Sequence, residues 1–331
     1  MKKTENLRKA RVAKNDEFYT RLEDIEKELG DPAHGYIPYF FGKTVYCNSD
    51  VPGTSAFWRF FMNHFAEYGL KKLYATHFSP LSSSTLYTYD GRVVTETPLS
   101  WNGSFDSPEC LDILDKSDII VTNPPFSQWR RFIRTLIERK KQFAVLGPLN
   151  AVTYREVFPL LQSNQVRLGF NRKRITFEIP QADGKAETVE TEEGTVLQTL
   201  NNIRWYTTFD INLHHDFLPL KETYEKNKKR HPKYENYNAI ECRTLKEIPC
   251  DFDGIIGVPI TLFELLCHEQ FEVIGIACGW TGKVMGAEWK DNVGYVNART
   301  KHGANGYGII DGKQVYHRVL IKKKTNFQEN T

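Results

Sequence analysis

Residues 117–127, Ser-Asp-Ile-Ile-Val-Thr-Asn-Pro-Pro-Phe-Ser, constrain this chain more than any other stretch. The adjacent apolar residues Ile119, Ile120 and Val121 predict a strand buried on both faces, as found inside a parallel sheet. Asn123-Pro124-Pro125-Phe126 then ends it. Proline lacks the N–H that would extend a ladder, so the backbone leaves the sheet at the carboxyl end of a strand, where open α/β sheets keep their ligands. The Asn123 side-chain carbonyl and the Pro124 main-chain carbonyl are two acceptors that suit one exocyclic amine, leaving its lone pair free to attack an electrophile. Phe126 adds a flat face on which a base can stack. The plainer alternative is a turn that merely ends a strand, and the helical pattern that follows argues against it.

A chain of 331 residues with 40% hydrophobic and 13% aromatic content fits one large domain or two, with ample core. The net charge is only +3, so affinity for a polyanion has to come from local patches. Two such patches are Lys2, Lys3, Arg8, Lys9, Arg11 and Lys14, set against Glu5 alone, and Lys226, Lys228, Lys229, Arg230, His231 and Lys233. Each is either a solvated tail or loop or a set of phosphate contacts. The six cysteines include no C-x-x-C pair, so no metal site is expected. With neither a signal peptide nor an apolar span of about 18 residues, the expected location is cytoplasmic, with reduced thiols and no membrane partner.

Along the chain, Leu22, Ile25 and Leu29 fall at helical spacing and predict a helix that begins near Thr20 or just before it. Phe18, Tyr19 and Thr20 would then stand at its entry, suited either to an adenosine-bearing ligand or to a core aromatic pair. Val45-Tyr46-Cys47-Asn48-Ser49-Asp50 reads as the first sheet strand running into a turn, with a cap at Thr54 or Ser55 and Phe57, Phe60, Phe61 and Phe65 along the next helix. A doubly wound fold takes its cofactor at such a strand, turn and helix N-terminus, although no G-x-G-x-x-G is present. Asn48 or Asp50 could bind the amino-acid end of a cofactor; a capping Asp would look the same.

Leu70 to Thr76 reads as the second strand, continuing to His77 and Phe78, and Asp90-Gly91 as the turn of a hairpin. After the motif, Ser127 is a natural N-cap for a helix with Trp129, Phe132, Ile133, Leu136 and Ile137 on its apolar face. A strand at 143–147 and a helix marked by Tyr154, Val157, Phe158 and Leu161 follow. This repeating order predicts a parallel sheet. Strands are expected at 166–169, 175–179 and 203–207, and shorter β-like runs at 254–260, 271–277 and 314–321, the last after an Asp311-Gly312 turn.

Taken together, Asp16-Glu17-Phe18-Tyr19-Thr20, Val45-Tyr46-Cys47-Asn48, the stretch 117–127 and Gly257-Val258-Pro259-Ile260 resemble the EcoRI-type adenine-specific DNA methyltransferases, over about Asn15 to Lys324. The resemblance implies an α/β, Rossmann-like S-adenosylmethionine-dependent methyltransferase fold with a mostly parallel central sheet and a smaller C-terminal target-recognition region. It implies S-adenosyl-L-methionine as donor and N6 of a flipped-out adenine in double-stranded DNA as acceptor. Asn123, Pro124, Pro125 and Phe126 would hold the base. Phe18, Tyr19, Thr20, Cys47 and Asn48 would contribute to the cofactor pocket, with Asp50 beside them from the reading of the turn. The order of the blocks resembles the arrangement called the gamma class.

The expected organisation is a basic arm at 1–14, a catalytic domain at 15–219, a charged linker or loop at 220–238 and a target-recognition region at 239–331. The glycine-rich, aperiodic stretch 279–308 reads either as a base-reading loop or as a mobile surface loop. A bacterial or phage-encoded modification enzyme is expected, acting with a restriction partner or alone. The sequence leaves its recognition site and oligomeric state open, with a monomer as the expectation. Two rivals share the motif or the fold: an amino-methyltransferase for RNA or protein, and a catalytically silent DNA-binding homologue. One departure bears on them. Family members commonly have Gly-Asp-Phe before the catalytic strand, whereas this chain has Gly103-Ser104-Phe105-Asp106, and Asp106 is either a substitute for the missing acid or not.

Overall fold

Ile119–Thr122 is a strand with all four residues buried, and a sheet extends from it on both sides. The computed structural model describes residues 18–53, 55–79, 82–179, 188–191, 194–278 and 306–324. The basic arm and most of the glycine-rich stretch, residues 279–305, lie outside the described residues, as does Thr54. The described chain divides into two compact units: residues up to Leu149 with Leu168–Ile211, and Asn150–Arg167 with the residues from Asn212 onward.

The first unit contains β1 (Tyr19–Thr20), α1 (Leu22–Ile25), β2 (Thr44–Asn48), α2 (Ala56–Asn63), β3 (Lys72–Thr76), β4 (Thr85–Tyr89), β5 (Val94–Pro98), α3 (Pro108–Lys116), β6 (Ile119–Thr122), α4 (Trp129–Glu138) and β7 (Gln142–Pro148). The C-terminal unit's α5 (Phe158–Gln162) intervenes before β8 (Arg167–Leu168), β9 (Ile175–Ile179), β10 (Thr188–Glu190), β11 (Val196–Leu200) and β12 (Ile203–Thr207). Eight strands form one sheet in the order β5-β4-β3-β2-β6-β7-β12-β8. The pairs β3–β2, β2–β6 and β6–β7 are parallel, because a helix crosses over between the members of each. The flanking pairs β5–β4, β4–β3 and β7–β12 are antiparallel, so the expected parallel sheet is confined to four central strands. The Asp90-Gly91 turn closes one flank, with Gly91 at φ 91° and the Asp90 carboxylate accepting from the N–H groups of Arg92 and Val93.

Two local expectations are corrected. Phe18-Tyr19-Thr20 does not open a helix: Tyr19 and Thr20 pair with Glu178 and Phe177 in a second, antiparallel sheet of order β1-β9-β11-β10, which holds them extended until α1 starts at Leu22. Ser127 does not cap the helix after the motif. A 3-10 turn, Phe126–Gln128, comes first, and α4 begins at Trp129 with Gln128 as its flanking residue.

Trp129 then pins that helix to the sheet. Its indole N–H donates to the Leu146 carbonyl at 2.7 Å, and a Cβ on Gly147 would lie 2.2 Å from the indole nitrogen. A second clasp is Glu28, fully buried, which accepts from the Tyr36 hydroxyl at 2.7 Å and from the N–H groups of Phe170 and Asn171, each at 2.8 Å.

The second unit adds α6 (Tyr224–Asn227), β13 (Ala239–Glu241), β14 (Ile255–Pro259), β15 (Phe271–Ala277), β16 (Ile309–Ile310), β17 (Lys313–Gln314) and β18 (Arg318–Lys323) to α5. Its sheet runs β13-β14-β18-β15, and β16 and β17 form a separate hairpin whose turn has Asp311 at φ 49° and Gly312 at φ 66°. The expected helix over Tyr154 to Leu161 is shortened to α5: residues 154–157 form a bend and turn, and Pro159 stands in the first turn of the helix, where its missing N–H costs no intrahelical bond. In the charged stretch 220–238, His231, Tyr234 and Tyr237 are buried, and Tyr234 and Tyr237 pack with Ala239, Ala277 and Leu320. Among the described residues, no helix is long and apolar enough to cross a membrane.

Candidate active site

The site assembles at the carboxyl ends of β2, β3 and β6. The Thr122 hydroxyl donates to the Asn48 main-chain carbonyl, tying the end of β6 to the end of β2. Asn123, the next residue, donates its side-chain N–H to the Phe18 carbonyl at 2.6 Å. This commits the amide nitrogen and assigns the orientation of the group. Its Oδ1 is buried and has no partner.

Phe126 sits in a cluster of three rings, 5.5 Å from Phe18 and 6.2 Å from Phe177, with Phe18 and Phe177 5.6 Å apart. The structure therefore brings Asn123, Phe126 and Phe18 together directly, and adds Phe177 from β9. Pro124 is buried and Pro125 half-buried between them.

Successive residues of a strand face opposite ways, so β1 splits the Phe-Tyr-Thr block. Tyr19 is 40% exposed, whereas Thr20 is buried and its hydroxyl has no partner. The same is true of the Asn48 side-chain nitrogen on β2. Leaving a buried polar group unmatched costs about 1–3 kcal/mol, and native structures rarely do so. Orphaned groups at Thr20, Asn48 and Asn123 thus point to a polar ligand.

Asp50 follows in the turn. Its main-chain N–H donates to the Thr76 carbonyl and its carboxylate accepts from the Trp58 N–H in the first turn of α2, both at 2.8 Å. Burial pushes the carboxyl up to about 8, opposed only by that one N–H. It therefore caps a helix and also remains poised to ionise beside a cation. Cys47 is fully buried, and burial, reinforced by Asp50 once that carboxyl ionises, pushes its thiol well above the usual range.

Sequence reasoning misses three neighbours. Phe177 reads only as part of a strand, because nothing local links it to residues 18 and 126. His77, at the end of β3, has a buried Nδ1 without a partner, and desolvation lowers its basicity. Gly103, at φ 73°, packs against the His77 carbonyl, which a Cβ would approach to 2.0 Å. Asp106 is already engaged: it accepts from the Ser104 hydroxyl at 2.5 Å and pairs with Arg131, whose guanidinium lies 5.7 Å from the centre of the Phe105 ring.

Donors and acceptors at Thr20, Asn48 and His77, together with the Asp50 carboxyl at a helix N-terminus, suit a ligand that carries hydroxyls, a carboxylate and an ammonium group. Among the described residues no cluster of His, Cys, Asp and Glu is arranged to hold a metal.

The α/β sheet thus leaves polar groups open at its strand ends, among them an amide oxygen at Asn123. The chain belongs to the family described as "Adenine-specific methyltransferase EcoRI", which it matches over residues 6–93 and 87–324. It is 38% identical to the Type II methyltransferase M.MpnI of Mycoplasma pneumoniae, covering 96% of this chain and 98% of that protein. It is 33% identical to M.MgeORF184P of Mycoplasma genitalium over 96% and 99% of the two chains, and 35% identical to M.EcoRI of Escherichia coli over 96% of each. No solved structure matches it.

Proposed function

We propose that the protein is a site-specific DNA methyltransferase that moves a methyl group from S-adenosylmethionine to N6 of an adenine swung out of the duplex. The observation that carries this reading is the Asn123 amide, with its nitrogen committed to the Phe18 carbonyl and its oxygen buried and unmatched. That oxygen and the Pro124 carbonyl accept the two N6 hydrogens, aim the nitrogen lone pair and stabilise the positive charge that grows on it. Phe126 stacks on the base. Extruding a nucleotide costs roughly a few kcal/mol, and stacking on one aromatic ring returns about 1–3 kcal/mol.

The cofactor supplies an electrophilic sulfonium methyl. Thr20, Asn48, Asp50 and His77 would hold it through their open polar groups, the Asp50 carboxyl matching an ammonium group and the aromatic cluster around Phe18 offering an apolar wall. The fold reads as Rossmann-like, its parallel centre carrying the cofactor turn after β2 and the base-holding turn after β6. No nucleophilic side chain is required, in keeping with the burial of Cys47. The C-terminal unit and the basic N-terminal arm supply contacts to DNA. By likeness to the Type II methyltransferases, the biological role is host-DNA modification, with or without a partner nuclease.

Replacing Asn123 by Ala is expected to lower tritium transfer to mixed-sequence duplex DNA by about 100- to 1000-fold, the scale for removing one group that stabilises developing charge. Cofactor affinity measured by calorimetry should stay within a few-fold of wild type. Undiminished transfer by the variant would refute the assignment. Transfer to RNA or protein in preference to duplex DNA would redirect it to another acceptor, and absence of cofactor binding by the wild type would mark a silent homologue. Sequencing modified bases in DNA from cells that express the protein reads out the recognition site.

A further inference from the structure

The C-terminal unit buries an ion pair that this reaction does not use. Glu241 on β13 is 2% exposed and accepts from Arg318 on β18, from Nε at 2.9 Å and from Nη2 at 2.6 Å, and also from the Tyr234 hydroxyl. Desolvation offsets most of what such a pair gains, so its use lies in what it positions. The remaining nitrogen, Nη1, donates to the main-chain carbonyls of Tyr316 at 3.1 Å and His317 at 3.2 Å. Arg318 thereby fixes the backbone just ahead of its own strand.

Gly257 is part of this arrangement. A Cβ there would fall 2.1 Å from the Tyr234 hydroxyl, so the bare backbone is what lets the phenol reach Glu241. This accounts physically for the glycine of Gly257-Val258-Pro259-Ile260. Gly308 does the same for the ring of Tyr234, which a Cβ would approach to 2.4 Å.

What the network holds in place is an exposed ring. Tyr316 is 56% exposed, yet its hydroxyl donates to Asn150 Oδ1 at 3.1 Å and its ring meets His317 at 4.4 Å. His317 in turn lies 5.1 Å from Tyr307, with the two rings 28° from coplanar. Backbone, ring and hydroxyl are each restrained, so the entropy of ordering this side chain is already spent before anything binds. Of its sequence neighbours, Lys313, Gln314, His317 and Arg318 are polar or basic and Val315 is half-buried against the core, too little apolar surface for a protein interface. A rigid, exposed aromatic face of this kind suits the π-face of a nucleobase.

We propose that Tyr316 is a stacking platform for a DNA base, covering the face of a base that is uncovered where the duplex opens. This rests on the reading of DNA as substrate. The test uses the full chain and two short mixed-sequence duplexes, one fully paired and one with a single adenine opposite an abasic site, with binding followed by fluorescence anisotropy.

The wild type should prefer the opened duplex. Tyr316→Ala should bind it about 5- to 150-fold more weakly, the range for losing one stacked base, while Tyr316→Phe keeps the preference. The dependence of affinity on salt should be the same in all three, since the substitutions leave every cationic group in place. Equal binding of the opened duplex by wild type and Tyr316→Ala, or a wild type without preference, overturns the proposal. A wild type that transfers no methyl group but shows the Tyr316 effect would sink the catalytic assignment and leave this one standing.

Discussion

Asp50 shows what one buried carboxyl does to the energetics of the site. Its acidity in the folded chain is shifted from the ordinary 3.8 to about 8, because burial outweighs the single hydrogen bond from Trp58. Between those two values the folded protein retains a proton that the unfolded chain gives up. Stability therefore falls as pH rises through that window and levels off above it. Asp50→Asn removes the titration while keeping an oxygen for the Trp58 N–H. The melting temperature of the variant, relative to wild type, is expected to climb steadily from pH 5 to about pH 8. A difference that stays constant across that range would show that the carboxyl is not shifted. At the same scale, Asn123 was legible in the sequence as part of the turn that ends a buried strand, because the prolines after it cannot extend a ladder. That its nitrogen would be tied to the carbonyl of Phe18, 105 residues earlier, was not.

At the scale of elements, the motif is aimed by the packing of α4 on β7. Gly147 leaves room for the Trp129 indole, and the indole N–H reaches the Leu146 carbonyl through that gap. Gly147→Ala forces a methyl group into the indole, and overpacking of this kind costs about 1–3 kcal/mol. The urea midpoint should fall accordingly, and methyl transfer should fall further than stability, since the helix follows directly on the Asn123–Phe126 turn proposed to hold the base. An unchanged midpoint would mean that the indole has room to move. The periodicity of residues 129–137 made α4 legible because helix spacing is a local pattern. Phe18-Tyr19-Thr20 misled for the opposite reason: two residues carry no period, and their partner strand lies more than 150 residues away.

For the whole molecule, a net charge of +3 leaves DNA affinity to local patches. The stretch around α6 presents Lys226, Lys229 and Lys233 to solvent, while Lys228 pairs with Glu225 at 2.8 Å and Arg230 lies 3.7 Å from Glu222. Changing the three lysines to Gln should weaken binding evenly across DNA sequences. It should also reduce the slope of log affinity against log salt by about 0.9 for each phosphate that is no longer neutralised. An unaltered slope would take this face off the DNA.

Taken by itself, the amino-acid order determined the buried central strand, the turn that breaks it, the helices on either side and the chemistry offered at Asn123, since each depends on neighbours within a few residues. The tertiary structure alone decided that Phe177 joins Phe18 and Phe126, that Asp106 is taken up by Arg131, and that Glu241 and Arg318 hold Tyr316 outward. Those contacts join segments that no local pattern relates, and they form only when the burial of distant strands outweighs the entropy of closing the loops between them.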